Sequence, residues 1–409
     1  MLTRPRYIHG YGDRDQALAR QIDCVTQYIA LFSRFGYEAP VGSEARYIAD
    51  LVHDVDRTIG WARFQEIVED LRRRRVLQGS KTLFFVPKAL HIYLWKQFWA
   101  TYGRGFDLTA TFNAMPESLH AWFMNMFRYA DGVVTSQVID EILRPDGIYS
   151  NTAFLVSAKG ARFLGHLAEA RPLTVLQLLE GTLGRWTEEQ LVQFKGTRQE
   201  VVWTLEKIAV WSPYFLRAAA LLARLAVNEN EGNSNNSTGT LVGLFQIGPE
   251  AAATEASPNE RLPGALRLLR SDSDAHRRLG LRVFAAAMDS RGSGYRIVGP
   301  EYQGLKERAN LWVPTTYDEW WDAHLKYFQA LVAGVQDWPM HLRAEACDAL
   351  LHAVENQIKV RPCTDLGRVP AHGVSPQPGR AEMRGTQRAT ADSRVGTVSL
   401  SVCRPSSCM

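Results

Sequence analysis

The run Phe64-Gln-Glu-Ile-Val-Glu-Asp-Leu-Arg-Arg-Arg-Arg-Val-Leu-Gln-Gly-Ser-Lys-Thr-Leu-Phe-Phe-Val-Pro87 restricts the fold more than any other part of the chain. Phe64, Ile67, Val68 and Leu71 recur at three- and four-residue spacing, which makes one buried stripe along a helix from about Trp61 to Arg74. Val76-Leu77 and Leu83-Phe-Phe-Val86 then flank Gln78-Gly-Ser-Lys-Thr82. Gly79 supplies the positive φ that a tight turn needs, so the pair reads as a hairpin. Pro87 stops the second strand, having no amide hydrogen for the ladder.

Two helices are expected before this run. Residues Arg14 to Phe35 place Leu18, Ile22, Val25, Ile29 and Phe32 on one stripe, ended by Gly36. A shorter helix spans about Ser43 to His53, with Ser43 as N-cap and Ile48, Leu51 and Val52 facing inward. Three helices and a hairpin are the parts of a winged helix. A fourth helix carrying Leu90, Tyr93, Leu94, Trp95 and Phe98 extends this first domain, residues 1–105.

From there the pattern is helical, at about 116–129, 137–143, 157–170, 174–183, 199–209, 213–227, 262–269, 275–288, 317–334 and 339–355. Several helices form close pairs, such as Ala161 to Pro172 with Leu173 to Leu183. Such pairs cannot bury their faces alone and stack into a solenoid. The fold class is therefore mainly α: a winged helix with a small β-hairpin wing, followed by an irregular HEAT-like α-solenoid over residues 106–358. No strict repeat period is visible. The polar stretch Asn228 to Thr240 interrupts the array and reads as a flexible connector or a partner-contact loop. Residues 359–409 form a separate tail. From Arg361 onward it has no Phe, Tyr or Trp, which fits disorder or translation in a shifted frame after about Gln357.

Charge argues against a general attraction to nucleic acid. The chain has 47 basic and 43 acidic residues, but seven arginines against three acids lie beyond residue 360, so residues 1–360 hold 40 of each. No run of about 18 uncharged apolar residues occurs and the start lacks a signal-peptide core, so a cytoplasmic protein with no membrane segment is expected. Five scattered cysteines without C-x-x-C spacing point to reduced thiols rather than disulfides or zinc. The sequons at Asn235 and Asn236 carry no glycan in that setting.

Taken with the helix-hairpin run, Phe163-Leu-Gly-His-Leu-Ala-Glu-Ala-Arg-Pro-Leu-Thr-Val-Leu176, Ala219-Ala-Leu-Leu-Ala-Arg-Leu-Ala-Val-Asn-Glu-Asn-Glu231 with its Ser-Asn-Asn-Ser-Thr-Gly loop, and Glu260-Arg-Leu-Pro263 give the chain a family likeness. Residues 15–357 resemble the region that follows the NTPase core in large bacterial STAND-type ATPases, including ones implicated in antiphage defence. The resemblance implies a winged helix that packs against an upstream P-loop module and a helical-repeat region that senses a ligand or partner. Its motifs are structural, and this sequence begins just before the winged helix, so no ATPase activity carries over. A truncated or split part with a protein partner or upstream NTPase module is the expectation.

No catalytic or cofactor motif is found. Gly79-Ser-Lys-Thr82 lacks the first glycine of a phosphate loop and falls in the hairpin turn. Arg72, Arg73, Arg74, Arg75 and Lys81 are the residues that would meet DNA phosphates, yet the outward side of their helix carries Glu66, Glu69 and Asp70, which opposes a phosphate groove and favours packing on protein. His341 with Glu345 and Asp348 with His352 lie four apart, as surface pairs do. No metal site is indicated. Trp320 and Trp321 are adjacent and cannot share one stripe, so one of them is a candidate exposed interface residue.

Overall fold

The protein, in a computed structural model, is described over residues 16–247, 254–289, 309–336 and 338–360. The tail from Arg361, for which disorder or a shifted frame is expected, lies outside the described residues. The fold is mainly helical with one small sheet.

Helix α1 (Gln16–Ile29) buries Ile22, Val25 and Ile29 as its spacing predicts, but it ends before Phe35. Phe35–Gly36, where the sequence predicts the end of the helix, instead form a short strand, β1. The buried Glu44 carboxylate accepts the Gly36 amide at 2.6 Å and anchors this strand to the next helix. Helix α2 (Ser43–Val55) follows, and Glu44 lies in its first turn. Gly42, rather than the expected Ser43, occupies the N-cap of α2, without a side-chain bond.

Helix α3 (Trp61–Arg73) buries Phe64, Ile67, Val68 and Leu71, the four residues of the predicted stripe. Strands β2 (Leu77–Gly79) and β3 (Thr82–Phe85) pair antiparallel, Leu77 opposite Phe85 and Gly79 opposite Leu83. β1 joins the other edge of β3, with Phe35 opposite Leu83, so the sheet order is β1-β3-β2. Phe35, Leu77, Leu83 and Phe85 all turn into the core. Gly79 has φ +121°, and a Cβ there would stand 2.0 Å from the Thr82 carbonyl oxygen, so no other residue fits this turn unstrained.

Helix α4 (Lys88–Tyr102) is apolar nearly all round and buries His91, Ile92, Leu94, Trp95, Phe98 and Trp99. A helix of that kind must be enclosed. α1 packs on one side of it and α7 (Val133–Ile142) on another. Its rings run into a chain of aromatic contacts. Tyr28 meets Phe98 at 5.0 Å, Phe98 meets Trp99 at 5.2 Å, Trp99 meets Phe127 at 5.6 Å and Phe127 meets Phe163 at 5.2 Å. The core therefore runs unbroken through residues 105–106.

Beyond α4 come α5 (Leu108–Ala114), α6 (Glu117–Met126) and α8 (Thr152–Leu155). Pairs then follow: α9 (Ala158–Ala170) with α10 (Pro172–Gly181), and α12 (Arg198–Ala209) with α13 (Ser212–Val227). α15 (Pro258–Leu269) pairs with α16 (Asp274–Ala287), and α17 (Tyr317–Val335) with α18 (Met340–Val360). α9 packs on α12, α10 on α13, α13 on both α15 and α16, α15 on α17, and α16 on α18. The pairs thus stack in chain order.

Short helices α5, α8, α11 (Glu188–Gln193) and α14 (Ser237–Gly243) escape the sequence reading, because one or two turns leave no period to detect. Each starts at a side-chain cap, Asp107, Asn151, Thr187 and Asn236 respectively, whose oxygen accepts an orphan amide of the first turn. Among the described residues no helix is long and apolar enough to cross a membrane.

Gly79→Ala is expected to lower stability by about 1–3 kcal/mol through backbone strain at the turn, read as a fall in the urea midpoint against the parent chain.

Candidate functional site

The basic run closing α3 is largely neutralised by its own neighbours. Arg72 reaches Glu38 at 3.2 Å and Glu69 at 3.0 Å and lies over the Tyr37 ring, its centre 5.6 Å away. Arg73 and Arg74 both pair with Asp70, at 3.2 and 2.6 Å, and Arg63 pairs with Glu66 at 2.7 Å. The acids on the outward face of α3 thus hold the arginines that would otherwise meet phosphate. Arg75 takes the left-handed conformation, φ 60°, that turns the chain from α3 into β2. Arg75 and Lys81 are exposed and, among the described residues, without an ion pair. The Lys81 carbonyl accepts the Tyr37 amide at 2.8 Å, which fastens the wing turn to the segment after β1.

Trp320 and Trp321 sit elsewhere, on α17. Trp320 is buried and its indole N–H donates to the Ile247 carbonyl at 2.9 Å, beside His324 Nε2 at 3.1 Å from the same oxygen. Trp321 is half-buried against the core, its ring 5.0 Å from that of Trp320. Neither is the exposed residue that their adjacency predicts, because the carbonyl of Ile247, 73 residues away, draws Trp320 inward. His341 and Glu345 do not pair with each other either. They cross to α16, His341 Nε2 donating to Asp274 at 2.6 Å and Glu345 accepting from Arg278 at 3.1 Å.

The buried charges form two centres that the sequence reading missed. At the joint between the sheet-bearing part and the array, the buried Glu169 carboxylate takes Lys207 Nζ at 2.5 Å and has Arg128 Nε at 3.5 Å. Arg128 also donates to His166 Nδ1 at 3.0 Å. Burial, with Arg128 and Lys207 beside it, pushes the His166 imidazole down to about 3, so it is a neutral acceptor near neutral pH. Burial lowers Lys88 to about 8, helped by Arg128 and Arg34. Residues from α9, α12 and the turn after α6 are thereby tied to one carboxylate.

The second centre is Arg198, fully buried at the start of α12. Its guanidinium donates to the carbonyls of Leu191 at 2.7 Å, Asn228 at 2.9 Å and Leu225, and its Nε lies 3.6 Å from Glu229. It therefore supplies donors to the carbonyl ends of α11 and α13, where no helical amide is left to do so. Glu229 accepts in turn from Ser237 and from the Thr238 amide, and Asn230 donates to Phe194 at 3.0 Å. The stretch 228–240, expected to be a flexible connector or a partner-contact loop, is instead hydrogen-bonded into the array and enters α14. Arg261 repeats the device, donating to Leu244 at 2.8 Å and Gln246 at 3.0 Å past the end of α14. One signal for both was available: Arg198 with Val201, Val202 and Leu205, and Arg261 with Ala265 and Leu268, place an arginine on an apolar stripe.

Chemically, these centres hold helices together rather than present a reactive atom. Among the described residues no group of three His, Cys, Asp or Glu is placed to hold a metal ion. Compared with known protein families, curated proteins and solved structures, the chain finds no match.

Arg198→Met is expected to cost about 3 kcal/mol or more by stranding buried carbonyls, and to open residues 228–240 to a glutamate-specific protease at Glu229 and Glu231. Acid is expected to destabilise the fold through His166 and His91, both pushed by burial to about 3 from an ordinary 6.5. Below that ordinary value the unfolded chain binds protons that the folded chain refuses. The contribution is complete above pH 6.5 and is lost as pH falls toward 3. Urea midpoints should fall between about pH 7 and about pH 5, with a shallower fall in His166→Gln.

Proposed function

We propose that the chain is a non-catalytic interaction and sensor scaffold related to the region after the NTPase core of bacterial STAND-type ATPases. In this reading residues 16–102 are a winged helix, the helix pairs from α9 onward are a HEAT-like array, and the partner is a protein, an NTPase module above all, in the cytoplasm. The order α1-β1-α2-α3-β2-β3 with sheet order β1-β3-β2 supports the winged-helix assignment. Stacking of successive pairs supports the array.

The observation that carries the reading is the self-pairing on α3. Arg63, Arg72, Arg73 and Arg74 are each engaged by Glu38, Glu66, Glu69 or Asp70, so the helix that a DNA-binding winged helix would lay in the groove offers phosphate little free positive charge. A surface of alternating, paired charges suits a protein face instead.

Anisotropy titration of a labelled duplex tests this. Association no tighter than about 10 μM, disappearing as salt rises from about 50 to about 200 mM, is expected of a scaffold. Sub-micromolar, sequence-dependent binding that survives the higher salt would replace the reading with that of a DNA-binding regulator. Sequencing the DNA on both sides of the reading frame is expected to reveal a P-loop NTPase module next to it.

A further inference from the structure

Between α13, α14, α15 and α16 lies a cavity of about 300 Å³. Small side chains create it: Ala219, Ala220 and Ala223 of α13 face Gly264 of α15. A Cβ at Gly264 would come within 3.1 Å of Leu216 Cδ2 and 3.3 Å of Phe245 Cζ, so the glycine leaves these two side chains room. Such a volume holds about ten waters, or one organic molecule of about a dozen non-hydrogen atoms.

The polar part of the lining is Arg224, Arg267, Ser271 and His276, and among the described residues no carboxylate lines the space. Arg224 is anchored by a bond from its terminal nitrogen to the Trp186 carbonyl at 2.7 Å. Among the described residues its Nε and the Nδ1 of His276 are both buried without a hydrogen-bond partner. Buried donors and acceptors are nearly always satisfied, so a polar group held beside these two nitrogens would be favoured by both. Burial and the nearby Arg224 lower His276, against the opposing pull of Glu188.

We infer that this cavity is a binding site for a small amphipathic carboxylate, with its head between Arg224, Arg267 and His276 and its apolar body against the alanine wall and Phe245. Two arginines in the lining, with no carboxylate among the described lining residues, favour an anion there. The apolar wall adds affinity only for a ligand with an apolar body, so inorganic anions gain nothing from it. The inference stands on the cavity's own geometry, whether or not the array belongs to an ATPase.

Calorimetric titration of the full chain with decanoate below its micelle-forming concentration tests it, with decanol and inorganic phosphate as companions. Decanoate should bind saturably at one site, at least about tenfold more tightly than decanol, and phosphate should give no saturable heat. Arg267→Gln, on an exposed position of α15, should weaken decanoate about tenfold and leave decanol unchanged. Gly264→Leu should block both ligands by filling the space. Should that variant fail to fold, Arg267→Gln decides alone. Equal affinity for decanoate and decanol, decanoate binding indifferent to Arg267→Gln, or no saturable decanoate binding would each overturn the inference.

Discussion

The aromatic seam from Tyr28 through Phe98, Trp99 and Phe127 to Phe163 is the contact on which the rest of the architecture depends. A sheet of three short strands has little core of its own. α4 supplies that core by giving one side to α1 and another to α7, so the same helix closes the sheet-bearing part and begins the array. Edge-to-face ring pairs add direction to this burial, since their energy depends on angle as well as area. The two parts are thereby fixed in orientation by packing and not by a linker.

Farther along, buried arginines join the leucines in holding the stack. Short helices end in carbonyls that need donors, and a helix array has many such ends. Arg198 and Arg261 each satisfy several at once, from inside the core, and Arg224 does so for Trp186. A guanidinium suits this task because its five donors lie in one plane and can serve acceptors from different elements. The carboxylate at Glu169 works in the opposite sense, collecting donors from separate helices at the joint.

Much of this was legible in the sequence where one element decides its own fate. The stripe Phe64, Ile67, Val68, Leu71 needed only its spacing, and the longer helix pairs showed themselves in the same way. What stayed hidden depended on distant partners. β1 exists because Gly36 meets Glu44 and Thr82, and two residues carry no period. The stretch 228–240 looked like a connector because its polarity is what Arg198 requires, and composition does not say what a polar group will meet. Trp320 could not be placed without Ile247, nor His341 without Asp274. The cavity between α13 and α15 was invisible for the same reason: Ala219, Ala220, Ala223 and Gly264 are ordinary helix residues until they face one another.

The neighbour-to-neighbour stacking of the pairs has a mechanical consequence. α9 leans on α12, α12 is joined to α13, α13 meets α15 and α16, and α16 meets α18. Because each pair packs chiefly on its neighbours, a small tilt between two adjacent pairs is carried forward by every pair beyond it. The array works as a pointer whose base is clamped by the aromatic seam. An angular change too slight to disturb any one interface, introduced near α13, becomes a displacement at α18.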